Sequence, residues 1–149
     1  MVILEQLLSV VLALGPLHAW DERRAEAWAA GEPRGLQSLY VPGSPAGHVD
    51  VAMLREWHRR GLRVEGMRMQ LLDVGVRRAS TTRLDLVVTD RLTGAVAVGP
   101  GVRLPLPRDG FTTRRVVLVR AGEEWLVAQS FEGASPARTT SWTVRSRKE

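Results

Sequence analysis

The apolar positions of this chain change their period part-way along. They recur every three to four residues through the first sixty or so positions, and every second residue from Met67 onward. That order predicts an α+β domain, with N-terminal helices packed on a strongly bent, mostly antiparallel sheet of about five or six strands. In the first segment, Ile3, Leu4, Leu7, Leu8, Val11 and Leu12 fall on one side, and Glu5, Gln6 and Ser9 on the other. This is the pattern of an amphipathic helix over 2–17. Gly15-Pro16 interrupts it, and Pro16 suits the first position of a second helix that runs to Ala30 and stops at Gly31. Leu17, Trp20, Ala27 and Trp28 share one arc of that helix, with Arg24 in the middle. Such an arginine either snorkels to the rim or pairs with a buried acid, and snorkelling is the commoner outcome.

Pro33 opens a short helix in which Leu36, Leu39 and Tyr40 share a face, ended by Pro42-Gly43. The next helix is expected from Asp50 as its cap to Gly61 as a left-handed stop. Met53, Leu54 and Trp57 form its buried side, and Arg55, Arg59 and Arg60 its exposed side. Strands are expected near 67–76, 83–90, 95–99, 102–107, 111–120 and 124–131. In the first of these the apolar face changes parity between Leu71 and Leu72, which a β-bulge would produce. Pro105 and Pro107 confine 102–107 to an edge. The expected division is an N-terminal helix or anchor remnant at 1–15, a domain at 16–132, and a flexible tail at 133–149 that is too poor in apolar residues to order itself.

Composition changes this picture little. Of 149 residues, 44% are apolar and 25% charged, as in ordinary globular proteins. Without cysteine there are no disulfides and no thiol chemistry. The formal charge of +5 comes from 20 arginines and a single lysine, Lys148, a skew like that of GC-rich actinobacterial coding. Residues 1–50 carry three arginines against six acids, and residues 51–120 fourteen against six. The basic middle alternates with apolar residues in strand-like runs. It therefore reads as a solvated sheet face, with no motif for specific nucleic-acid binding. The uncharged run from Gln6 to Trp20 is short for a bilayer span and lacks the basic start of a signal peptide. Membrane contact through residues 2–17 is the alternative to a docked helix.

The chemistry-bearing residues are sparse. His18 and His58 sit on helices and His48 in a loop. His48 and Asp50 could offer two metal ligands without a third in view, so no metal is expected. Asp73 and Asp85 are the carboxylates on strands and the weak candidates for a general base. Parity turns both outward, toward cross-strand arginines, where each would stay solvated with an ordinary pKa. No glycine-framed serine and no phosphate loop is present. Trp20, Arg24, Trp28, Tyr40, Trp57 and Trp125 are the candidates for lining a pocket, although core packing accounts for large aromatics as well.

The stretch "WDERRAEAWAAGEPRGLQSLYVPGS" resembles the opening helices of the nuclear transport factor 2-like superfamily, which includes ketosteroid isomerase, scytalone dehydratase and polyketide-cyclase-like proteins. "VLVRAGEEWLVAQ" resembles its closing hairpin, with Trp125 on the last strand, and "GLRVEGMRMQLLDV" is similar to actinobacterial members. The resemblance covers roughly residues 16–131 and implies a cone, a bent sheet wrapped around a pocket closed by helices. It does not fix function, because the superfamily spans enzymes, adaptors and inactive domains. Catalytic members place an acid, a histidine or a tyrosine inside the cone, and no such set can be matched here residue by residue. The expectation is a non-catalytic, cofactor-free binding or interaction module with an apolar cavity. It would take a small apolar ligand or a protein partner, dimerise through its sheet, and be cytoplasmic or, alternatively, envelope-associated. The alternative function is a cofactor-free isomerase, dehydratase or cyclase acting on a small hydrophobic substrate.

Overall fold

A computed structural model describes residues 2–133 and 141–143. Among the described residues three helices precede eight strands: α1 (Val2–Ala30), α2 (Pro33–Gln37), α3 (Pro45–Arg59), β1 (Arg63–Glu65), β2 (Arg68–Ala79), β3 (Arg83–Thr93), β4 (Val96–Gly99), β5 (Val102–Pro105), β6 (Thr112–Ala121), β7 (Glu124–Glu132) and β8 (Ser141–Thr143). The strands form two antiparallel sheets, a larger one in the order β7-β6-β3-β2-β8 and a smaller one in the order β1-β4-β5. The helices pack on one face of the larger sheet, as the change of hydrophobic period predicts.

Three local expectations are corrected. The helix break at Gly15-Pro16 is absent, and α1 runs through Pro16. Proline denies a hydrogen bond to the carbonyl of Leu12. Leu12 lies on the solvent side, where water can take that bond, while Ala13, Leu17 and Trp20 anchor the same helix in the core. Second, α3 begins five residues earlier than expected. Ser44 is its cap, accepting a hydrogen bond from the Gly47 backbone N–H at 3.3 Å, with Pro45 in the first turn. Asp50 is therefore inside the helix and not at its start. Third, Met53 is half exposed, whereas Leu54 is buried and Trp57 packs half-buried against the core. The stop at Gly61 is as expected: its φ is +71°, and the N–H groups of Gly61 and Leu62 close on the carbonyls of His58 and Trp57.

The parity change in β2 is a real register shift. Leu71 pairs with Asp90 and Asp73 with Thr89, leaving Leu72 extra, and a second shift follows between Val76 and Arg78. Another lies between Val117 and Leu118 on β6. The extra residues are Leu72 and Arg77 on β2 and Ala128 on β7, the strands on either side of the β6-β3 pair. Inward-facing Leu84, Leu86, Val88, Val116, Leu118, Val127 and Val74 form the sheet side of the core. The helices contribute Trp20, Trp28, Leu36, Val51 and Leu54, and the segment after α2 adds Leu39 and Tyr40. After α2 the chain clips onto β7: Val41 donates to the Val127 carbonyl at 2.9 Å and Val127 to the Leu39 carbonyl at 3.0 Å. Most of the tail expected after Gly133 lies outside the described residues, but Ser141–Thr143 extends the sheet beside β2. Along α1, Leu4, Leu8, Val11 and Leu12 are exposed. Among the described residues no helix is long and apolar enough to cross a membrane.

Candidate functional site

The inner face of the sheet and the facing sides of α1 and α3 border a cavity of about 460 Å³ that opens to solvent past the exposed Val49, Met53 and Phe131. Its apolar wall includes Trp20, Val49, Met53, Met69 and Phe131. Its polar wall includes Asp21, Arg24, Tyr40, Asp50, Arg114 and Ser130. The cavity is thus not wholly apolar, contrary to the sequence expectation.

Arg24 does not snorkel. Its Nε and Nη2 donate to the two carboxylate oxygens of Asp50, each at 2.7 Å, forming a planar fork between α1 and α3. Tyr40 Oη donates to Asp50 Oδ2 at 2.6 Å and Trp28 Nε1 to Oδ1 at 3.2 Å. Asp50 therefore accepts four hydrogen bonds. Burial opposes its ionisation, but the Arg24 fork and the two neutral donors outweigh burial and hold the carboxyl below the usual range. The same cluster pushes the Tyr40 phenol up, through burial first and the Asp50 charge second. Trp20 Nε1 donates to the Leu39 carbonyl at 2.8 Å, and its ring meets Tyr40 edge-on at 5.3 Å. Gly47 permits this packing, since a Cβ there would lie 2.8 Å from Tyr40 Cβ and Cγ.

A second fork crosses the sheet. Arg114 on β6 donates from Nη2 to Asp90 Oδ2 at 2.9 Å and from Nε to Oδ1 at 3.3 Å, and its Nη1 donates to Ser130 Oγ at 2.9 Å. Asp90 is almost fully buried. Between the two forks lies Asp21, which makes no hydrogen bond to any described residue. Burial pushes its carboxyl up to about 6. The Asp90 charge adds to that rise, while Arg114, Arg24 and His18 oppose it.

Of the residues nominated by sequence, Trp20, Arg24 and Tyr40 line the cavity. Trp28 touches it only through Asp50 and is otherwise core. Trp57 and Trp125 pack against the core and do not line this cavity. Asp73 and Asp85 lie on the opposite face of the sheet, beside Thr89 and Val117 respectively. Neither is the freely solvated group the sequence predicts. Asp85 is buried, and two hydrogen bonds from Arg115, at 2.9 and 2.6 Å, hold its carboxyl low. Asp73 has one carboxylate oxygen buried without a partner, and burial pushes it up. His18, His48 and His58 do not converge, and among the described residues no three His, Cys, Asp or Glu could hold a metal ion.

Sequence reasoning missed Asp21, Asp90 and Arg114. Phase could have found two of them. Asp90 continues the alternation Leu84, Leu86, Val88, and Arg114 precedes Val116 and Leu118 in the same register.

No protein-family model and no curated protein matches the sequence. Solved structures do match the fold. A Catenulispora acidiphila protein aligns with a TM-score of 0.54 at 14% identity, over 84% of this chain and 93% of that one. A member of the NTF2-like family from Streptomyces avermitilis aligns at 0.50 and 15% identity, over 80% and 94%. The chain has the nuclear transport factor 2-like fold. The intermembrane-space region of the chloroplast protein ARC6 is also similar, with a TM-score of 0.52 at 16% identity over 83% of this chain and 95% of that one. In the NTF2-like frame the forked cluster lies inside the cone, where the bent sheet and the helices face each other.

Proposed function

We propose that this chain is a ligand-binding module that holds a small molecule in the cone cavity without transforming it. The observation that carries this reading is the state of the cavity's polar groups. Arg24, Asp50, Tyr40 and Arg114 are all committed to fixed partners, in geometry suited to shaping walls more than to moving protons. A Catenulispora acidiphila structure of the same fold is a complex with S-DNPA, with a TM-score of 0.53 and 13% identity over 82% of this chain and 92% of that one. Ligand occupancy is therefore compatible with this architecture. Titration of labelled protein with 2-naphthol should shift the Trp20 indole resonance and the amides of Ala46 and Ser130. If saturating probe left these resonances unmoved, the cavity would not be a ligand site.

One observation favours an enzyme as the second reading. Asp21 is an unpartnered carboxyl in the cavity wall, raised to about 6, as a general base acting on a small hydrophobic substrate would be. Exchange of an enolisable ketone's α-protons in D2O, present in the wild type and lost in Asp21→Asn, would establish it over the binding reading. Self-association through the outer sheet face belongs to the same proposal. Sedimentation velocity tests it.

A further inference from the structure

The charges of the cavity wall do not cancel. Asp50 is neutralised by Arg24 and Asp90 by Arg114, each through two hydrogen bonds. Asp21 is left without a cation of its own, and Glu132 at the rim is likewise in no ion pair among the described residues. Arg24 and Arg114 approach Asp21 closely enough to be felt, but their guanidinium forks are already turned to other carboxylates. The cavity therefore presents one half-buried and one peripheral negative charge. Trp20, Tyr40 and Phe131 line it, and aromatic faces attract cations.

We infer that the cone cavity selects a ligand carrying a protonated amine on an apolar, ring-sized body, with the ammonium group seated against Asp21. This rests on the reading of the cavity as a ligand site and adds the chemical class of its occupant. An ammonium group supplies the hydrogen-bond donors that Asp21 lacks, and it offsets the cost of keeping that half-buried carboxylate ionised. An anionic ligand would meet Asp21 and Glu132 with like charge, while both arginines remain engaged. A neutral ligand of the same shape would leave Asp21 charged and unpaired. The apolar wall of Val49, Met53 and Met69 takes the body of the ligand.

The test compares benzylamine with benzyl alcohol, its neutral near-isostere, on the full chain at pH 7.5, reading the Trp20 indole resonance. Benzylamine should bind at least tenfold more tightly than benzyl alcohol. Asp21→Asn should remove that preference while leaving the alcohol's affinity unchanged. Glu132→Gln, at the rim, should weaken the amine less than Asp21→Asn does. If Asp21→Asn failed to fold, the wild-type comparison of amine with alcohol would still decide the matter. Equal binding of the two probes, or an amine preference that survives Asp21→Asn, would overturn the inference and leave the cavity a ligand site of another class. Absence of binding by both probes, together with silence toward 2-naphthol, would overturn the ligand-site reading itself.

Discussion

Arg24 and Asp50, twenty-six residues apart on two different helices, meet through two parallel hydrogen bonds of 2.7 Å, and the Asp50 side chain is almost sealed from solvent. An exposed pair of this kind would add little stability. Here the geometry is bidentate, and two further donors saturate the carboxylate. The strongest effect comes from removing one partner and leaving the other stranded.

Asp50→Ala leaves the Arg24 guanidinium, the Trp28 indole N–H and the Tyr40 hydroxyl without their common acceptor. Urea denaturation should show a loss of about 3–5 kcal/mol. The double variant Arg24→Met, Asp50→Leu should lose less than either single variant, since no uncompensated charge remains. A loss under about 1 kcal/mol for Asp50→Ala would mean the pair behaves as a surface ion pair.

Asp21 and Asp50 should shape the pH dependence of stability in opposite senses. Asp21 is raised to about 6, so its favourable protonated form is fully present below the unfolded value of 3.8 and is lost as pH rises through 6. Above that, ionised Asp21 costs stability on the order of 3 kcal/mol. Asp50 is held low, so its contribution is present above the unfolded value and disappears as pH falls through the lower folded one. Asp21→Asn should therefore raise stability at pH 7.5 and flatten the curve between about 4 and 6. A variant less stable than wild type at pH 7.5 would contradict this.

Gly47→Ala should cost about 1–3 kcal/mol, because the new methyl group would overlap the Tyr40 side chain at a site with no free space. The displacement would also loosen the Tyr40–Asp50 hydrogen bond. The tyrosine titration, followed by ultraviolet absorbance, should then move down toward the ordinary phenol range. An unchanged titration and unchanged stability would show that the helices can part without cost.

Dialysis against a chelator should leave the melting temperature unchanged. His18 stands beside Glu22 on α1, His48 is exposed at the start of α3, and His58 is exposed near its end. A drop of several degrees restored by zinc would reveal a metal site.

The architecture was legible wherever one residue type repeats in phase. The helix-to-strand change at Met67, the bulge at Leu71–Leu72 and the stop at Gly61 all follow from local pattern. Segments governed by long-range contact were not. β1 is three residues long and exists because β4 pairs with it, so it carries no periodicity of its own. Pro16 reads as a start because local propensity favours that, and packing of the residues around it overrides propensity. At the site, Arg24 is conspicuous as a charge within an apolar arc, but its partner reads locally as a cap because an Asp before a helical run most often is one. The Ser44-Pro45 pair held the true start signal. Asp21 carries no local signal, because an acid on a helix usually faces water. Only Arg114 on β6 and Asp90 on β3, distant in sequence, set the charges around it.

The forks also bear on what happens when the cone is empty. Arg24–Asp50 ties helix to helix, Arg114–Asp90 ties strand to strand, and the Leu39–Val41 clip fastens the mouth to the sheet edge. These ties are made by the protein with itself, so they exist before any guest arrives. An occupant then meets side chains whose rotamers are already fixed, and the entropy of ordering them is spent during folding instead of at the encounter. Such a chamber keeps its outline when vacant. Its polar groups should therefore discriminate by position, while the exposed side chains of Val49, Met53 and Phe131 leave room at the rim for guests of different size.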